Sequence, residues 1–322
     1  MSAPQLFLQE LDISPTFSVE RELVVFEGDC NELLSAIPSD SIQLIITSPP
    51  YNLGKEYEKR LDLLRYVEQQ RRVITECVRV LSPQGSLCWQ VGNFVQGAEI
   101  IPLDSLLFPV FRELGLKLRN RVVWHFEHGL HCSKRFSGRY ETILWYTKSD
   151  RYIFNLDPIR VPQKYPGKKH FKGPKVGQYS GNPLGKNPGD VWLIPNVKSN
   201  HVEKTEHPCQ FPVELVERLV LSMTIKGDWV LDPFMGVGSS LIAAVRHERR
   251  AAGAELVPKY VATAKRRLLE EQRGTLRTRP MHRPVYDPRA EGNALAKNPW
   301  QTPSAETPAS LAKEPMVAYG GE

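Results

Sequence analysis

The chain has 322 residues, with 42 Lys and Arg against 36 Asp and Glu, a formal charge of +6 and a pI of about 9.0. That length holds one large α/β core or two modest ones. No apolar run approaches the ~20 residues of a membrane span, the start MSAPQLFLQELDISPTF has no secretion-signal pattern, and the basic balance permits a polyanionic partner without requiring one.

The elements follow from periodicity. Residues 21–27 (Arg-Glu-Leu-Val-Val-Phe-Glu) read as a strand, and Cys30 to Ile37 as a short helix that Asp29 can cap. The apolar run Ile42-Gln43-Leu44-Ile45-Ile46 is a buried strand. It leads directly into Thr47-Ser48-Pro49-Pro50-Tyr51. Each proline there fixes its own φ, removes an N–H donor and restricts its predecessor. The Ser48 and Pro49 carbonyls are thereby held as outward acceptors beside the Tyr51 ring, an arrangement suited to a flat molecule that carries an amino group. Residues 58–81 have helical periodicity, Gly85 to Val91 is a strand, 103–115 a helix, and 118–126 and 140–147 are strands. Strands alternating with helices predict a mostly parallel sheet covered on both faces.

Composition then changes. Residues 148–205 hold eleven Lys or Arg against four Asp or Glu, with many Pro and Gly and interleaved aromatics, and no periodicity. Lys164, Lys168, Lys169, Lys172 and Lys175 carry much of this charge. Pro212 to Met223 is an amphipathic helix, Trp229 to Leu231 a strand, Gly238 to Arg246 a helix, Arg250 to Glu255 a strand, and Pro258 to Gln272 a helix opened by proline. From about 273 the chain loses its apolar face and reads as a disordered tail.

Asp232-Pro233-Phe234-Met235-Gly236-Val237-Gly238-Ser239 lies between a strand and a helix. Glycines at 236 and 238 allow a tight turn and close approach to a ligand at a helix N-terminus. The next strand ends in Glu255, about 20 residues on, the offset at which a carboxylate reaches ribose hydroxyls.

With both motifs placed, the chain resembles the S-adenosylmethionine-dependent DNA amino-methyltransferases in their circularly permuted "beta" order. Ser48-Pro49-Pro50-Tyr51 matches the family's catalytic motif and Phe234-x-Gly236-x-Gly238 its cofactor motif. His207-Pro208-Cys209-Gln210-Phe211-Pro212 matches the segment around the methionine part of the cofactor, and Gly28-Asp29 the acidic turn near its adenine. The resemblance spans about 21–272. It implies a Rossmann-like fold with a mostly parallel seven-stranded sheet. An N-terminal extension (1–20) precedes a catalytic half (21–147), a basic target-recognition insert (148–205), a cofactor half (206–272) and a tail (273–322). It implies catalytic Ser48, Pro49, Pro50 and Tyr51, and cofactor contacts from Asp29, His207, Phe211, Asp232, Pro233, Phe234, Gly236, Gly238, Ser239 and Glu255. It also implies DNA phosphates as the contacts of Lys164, Lys168, Lys169, Lys172 and Lys175. The Ser48 oxygen and Pro49 carbonyl would take the two N–H bonds of a base, flipped out of the duplex, with Tyr51 stacked on it. Ser before Pro-Pro-Tyr favours N4 of cytosine over N6 of adenine.

The expected partner is double-stranded DNA. Any restriction endonuclease would be a separate chain, and the protein a monomer or homodimer. The odd, scattered cysteines (Cys30, Cys77, Cys88, Cys132, Cys209), without a CxxC pair, suit a reducing cytoplasm. Rival readings are weaker. Pro208-Cys209-Gln210 also fits the nucleophile of cytosine C5-methyltransferases, but it precedes the cofactor motif. His125, His128, His131 and Cys132 lack the regular spacing of a zinc site, so no metal is expected. Methylation of protein glutamine or of RNA would place the cofactor motif first. A DNA-binding module with a decayed site would not keep both motifs intact.

Overall fold

The computed structural model describes residues 12–52, 54, 60–129 and 131–287. The expected extension up to residue 11, the first two residues of the helix expected from 58, and the tail from 288 lie outside these. The chain divides into Met1–Arg283 and Pro284–Glu322. Of the second unit only 284–287 are described, and they carry no helix or strand.

In the first unit the order is β1 (Ile13–Ser14), β2 (Leu23–Glu27), α1 (Cys30–Ala36), β3 (Ile42–Thr47), α2 (Leu63–Val80), β4 (Leu81–Val91), β5 (Asn93–Gln96), β6 (Glu99–Pro102), α3 (Leu103–Glu113), β7 (Lys117–His125), β8 (Tyr140–Thr147), β9 (Val191–Leu193), α4 (Val213–Met223), β10 (Trp229–Asp232), α5 (Ser239–Arg246), β11 (Arg250–Glu255) and α6 (Pro258–Gln272). Nine strands form the main sheet in the order β1-β2-β11-β10-β3-β4-β8-β7-β9. Every neighbouring pair is parallel except the two made by β8. Both faces are covered. Leu44 and Ile46 of β3 face a cluster built with α4, α5 and α6. Ile42 and Ile45 face one built with α1, α2 and α3. Burial on both faces is why β3 reads as a continuous apolar run rather than an alternating one.

The register that matters most pairs Val230 of β10 with Leu44 of β3 and with Ala251 of β11. Two segments about 180 residues apart in sequence thus end side by side at the carboxyl edge of one sheet. That edge, at the point where the strand order changes direction, is where open α/β sheets bind ligands.

Seven long strands match the expected sheet, and two short ones were missed. β1 and β9 are edge strands of two and three residues, too short to show a period. β9 comes from the basic stretch and pairs with β7, Val123 opposite Val191. The β5–β6 hairpin was also missed. Its turn is Gly97-Ala98, both at positive φ (55° and 70°), the geometry of a tight hairpin. The boundary at 273 falls too early. Leu276 packs against the core, and Arg279 is buried, its backbone N–H donating to Glu203 Oε1 at 3.0 Å and its guanidinium to both Glu214 oxygens at 2.6 and 2.5 Å. This segment has no apolar period because buried carboxylates, not an apolar face, hold it.

Candidate active site

A cavity of about 530 Å³ opens at the carboxyl edge of β2, β3, β10 and β11. Its floor is set by a buried carboxylate. Asp232, at the end of β10, accepts the Thr47 hydroxyl at 2.6 Å, the Ser240 hydroxyl at 2.5 Å and the Phe234 backbone N–H at 3.0 Å. One side chain therefore ties the end of β3, the 233–238 turn and the first turn of α5 together. Burial pushes its carboxyl up to about 6, against the pull of those three donors. Asp232 lies beneath the cavity and does not line it, contrary to its expected role as a direct cofactor contact. Gly238 does not line it either. It sits at φ 78° as the N-cap of α5, where an added Cβ would come within 3.1 Å of the Ala264 Cβ. Its job is to let α5 pack on α6.

The other expected cofactor residues do converge. Asp29, His207, Phe211, Pro233, Phe234, Gly236, Ser239 and Glu255 all line the cavity. Gly236 takes φ 52°, and a Cβ there would lie 3.3 Å from the His207 ring. The His207 ring packs edge-on against Tyr260 at 4.6 Å and accepts the Cys209 N–H at 3.2 Å. Asp29 caps α1, Oδ1 accepting the Asn31 N–H at 2.8 Å. Glu255 accepts the Val257 N–H at 2.8 Å, and burial holds its carboxyl above the usual range. A narrow glycine cradle between two carboxylates, with a helix N-terminus beneath, suits a nucleoside whose hydroxyls and amino group donate.

Beside this cradle stands the Pro-Pro turn. Ser48, Pro49, Pro50 and Tyr51 all line the cavity. The Pro50 carbonyl accepts the Tyr66 hydroxyl at 3.2 Å, fixing the turn to α2. Buried Asn52, at φ 61°, exchanges two hydrogen bonds with the Leu61 backbone at 2.7 and 2.6 Å. Ser48 Oγ lies 2.8 Å from Tyr51 Oη, and the Tyr51 hydroxyl donates to Glu141 Oε2 at 3.2 Å. Burial, then the neighbouring Glu141 charge, pushes the Tyr51 hydroxyl well up, so it stays protonated.

Gln90, Trp124, Phe126, Glu141, Asn196 and Lys198 also line the cavity and were not singled out from sequence. A signal existed for four of them. Gln90 and Trp124 sit near the ends of β4 and β7, Phe126 just beyond β7, and Glu141 at the start of antiparallel β8. Once the sheet is arranged, those positions meet at the carboxyl edge of β3. Lys164, Lys168, Lys169, Lys172 and Lys175 do not line the cavity. They are exposed on a folded loop in which Lys169 pairs with Tyr179 and the Lys164, Lys169 and Lys172 ammonium groups lie over Tyr165, Tyr179 and Phe171. Among the described residues no group of three or more His, Cys, Asp and Glu could hold a metal ion.

Fold and site together define a Rossmann-like methyltransferase: a mostly parallel sheet with a nucleoside cradle beside a rigid acceptor turn. The chain belongs to the DNA methylase family of the N6/N4 type, whose model matches residues 42–266. It is a DNA amino-methyltransferase, as the motifs led one to expect. It is 52% identical over 242 residues to the Type II methyltransferase M.BglII of Bacillus subtilis, covering 74% of this chain and 67% of that one. It is 31% identical to the DNA adenine methyltransferase YhdJ of Escherichia coli, covering 79% and 85%. Among solved structures, a DNA modification methylase of Thermus thermophilus, TTHA0409, determined with S-adenosyl-L-methionine, superposes with a TM-score of 0.56 at 32% identity, covering 78% and 94%. The cytosine-N4-specific PvuII DNA methyltransferase shares the fold, with a TM-score of 0.61 at 21% identity, covering 79% and 93%.

Proposed function

We propose that the protein transfers a methyl group from S-adenosylmethionine to N4 of a cytosine flipped out of double-stranded DNA. The observation that carries this reading is the Ser48-headed Pro-Pro turn on the wall of the same cavity as the Phe234–Gly236 cradle. The cofactor supplies a methyl group on a sulfonium, already a good leaving group. An exocyclic amino nitrogen is a poor nucleophile because its lone pair is delocalised into the ring. The Ser48 oxygen and the Pro49 carbonyl accept its two N–H bonds and turn that lone pair toward the cofactor side. Positioning of this kind supplies much of the rate. The base stacks against Tyr51, and Asp29, His207, Phe211, Phe234, Gly236 and Glu255 hold the nucleoside. The permuted motif order, with the clamp before the cradle in the chain, supports assignment to the beta arrangement.

Residues 148–205 serve as the target-recognition region, with Lys164, Lys168, Lys169, Lys172 and Lys175 on the phosphates. Relatives named Type II methyltransferases support a role beside a separate restriction endonuclease. The scattered free cysteines suit a reducing cytoplasm. Adenine N6 is the second reading, favoured by the likeness to a DNA adenine methyltransferase. Methylating mixed genomic DNA with labelled cofactor and separating the nucleosides discriminates them. Label on N4-methylcytosine is expected, and label confined to N6-methyladenine overturns the choice of base. Ser48→Ala should lower kcat by about 100-fold, the order seen when a preorganised polar group facing the reacting atoms is removed, with the cofactor Kd unchanged by titration.

A further inference from the structure

The hydrogen-bond chain Ser48–Tyr51–Glu141 has a direction, and that direction decides what Ser48 can offer a substrate. An ionised carboxylate only accepts. Tyr51 must then turn its single proton to Glu141 Oε2, 3.2 Å away. The Tyr51 oxygen is left as an acceptor for the Ser48 hydroxyl at 2.8 Å. Gln90 agrees with this polarity. Its amide nitrogen is 2.7 Å from Glu141 Oε2 and 3.4 Å from Tyr51 Oη, so it donates to both. Turning the amide over would set its oxygen against the carboxylate, although its Oε1 is buried without a hydrogen-bond partner among the described residues.

We infer that Glu141 is a positioning residue that commits the Ser48 proton to Tyr51 and leaves the Ser48 oxygen as a pure acceptor. This rests on the methyltransferase reading above. The amino group to be methylated brings two N–H donors and one lone pair. A Ser48 hydroxyl free to rotate would aim its own proton at that lone pair for part of the time and withdraw the nucleophile. A committed Ser48 can only take an N–H bond. Glu141 acts through Tyr51, to which it is hydrogen-bonded, and has no direct bond to Ser48.

The charged and titratable groups about Glu141 come from several elements. Tyr51 follows β3, Lys198 follows β9, and the Asp104–Arg121 ion pair sits in a small cleft that Glu141 also lines. Cys209 faces Tyr51. Burial pushes the Glu141 carboxyl up, while Gln90, Tyr51 and Lys198 pull it back. As pH falls through that raised value the carboxyl gains a proton, can donate, and no longer fixes the chain.

The test compares wild type, Glu141→Gln, Tyr51→Phe and the double variant on methylatable duplex DNA, with kcat, KM and cofactor Kd measured from pH 5 to 9. Glu141→Gln should lower kcat about tenfold or more, leave the cofactor Kd unchanged, and lose the acid limb of the wild-type kcat profile. The double variant should be no slower than the slower single one, because both break the same chain. An unchanged kcat in Glu141→Gln, an acid limb that persists in it, or losses that multiply in the double variant would overturn the inference while the methyltransferase reading stood. A wild-type protein that methylates no DNA would overturn both. Should Glu141→Gln fail to fold, Tyr51→Phe alone decides, since it keeps the ring and removes only the hydroxyl link.

Discussion

Asp232 is the residue on which the most local structure depends. It is fully buried, and its two oxygens serve a β3 threonine, an α5 serine and a backbone N–H of the cradle. The motif marks it as a cofactor contact, whereas its side chain points beneath the cavity and does not line it. A motif says that a residue type is required, not which way its side chain points. Its raised value, about 6 against 3.8, sets a pH dependence. The folded state holds this proton more tightly than the unfolded chain does. The associated stability is therefore fully present below about pH 4 and is lost as pH rises through about 6, on the order of 3 kcal/mol in all. Asn can replace it nearly isosterically, its oxygen accepting from Thr47 and Phe234 and its NH2 donating to Ser240. In Asp232→Asn that part of the slope should vanish. Urea midpoints at pH 4 and pH 7, taken for both proteins, measure it; equal slopes would show that Asp232 is not the titrating group.

Among elements, the parallel strands and their helices were legible because each buries enough apolar surface to leave a period. β11 and α6 lie at their expected residues, Arg250–Glu255 and Pro258–Gln272. β9 and the β5–β6 hairpin were not legible. The one is a three-residue edge, and the other turns on two backbone angles that composition barely marks. The clamp and most of the cradle were legible as contiguous motifs. Gln90, Trp124 and Glu141 were not, because each is a single position on its own strand and only pairing of β4, β8 and β7 gathers them. The lysine loop is a case where composition speaks and geometry adds a limit. Lys164, Lys169 and Lys172 lie over their own aromatics and none of the five lysines lines the cavity, so the role we propose for them is phosphate attraction and not chemistry. Replacing Lys168, Lys169, Lys172 and Lys175 together with Gln should weaken DNA binding. It should also flatten the slope of log K against log salt by about 0.9 for each phosphate that is no longer neutralised. Anisotropy titrations at salt concentrations from about 50 to about 200 mM read this, and an unchanged slope would remove the loop from the DNA interface.

At the scale of the whole first unit, residues 273–283 past α6 tie the wall that carries His207 and Phe211 to the core. Glu203 Oε2 accepts the Val213 N–H at 2.9 Å, its Oε1 accepts the Arg279 N–H at 3.0 Å, and its carbonyl accepts the Gln210 amide at 3.0 Å. The stretch between Glu203 and Val213 is the one that brings His207 and Phe211 to the cavity. Arg279 then neutralises Glu214, whose carboxyl burial pushes up to about 7 in spite of that partner. Arg279→Met keeps the aliphatic bulk and removes the charge, leaving Glu214 buried and unpaired. Breaking a buried pair from one side costs about 3–5 kcal/mol. Glu214 can escape part of that cost by taking up a proton, so the loss should be largest above pH 7 and shrink as pH falls below it. Because the same segment holds Glu203, the variant should also bind S-adenosylmethionine more weakly while Ser48 and Tyr51 keep their geometry. Melting curves at pH 6 and pH 8, paired with cofactor titrations, separate the two effects. A destabilisation that is equal at both pH values would mean that Glu214 does not take up the proton. A cofactor Kd that stays at the wild-type value would detach the C-terminal segment from the wall it braces.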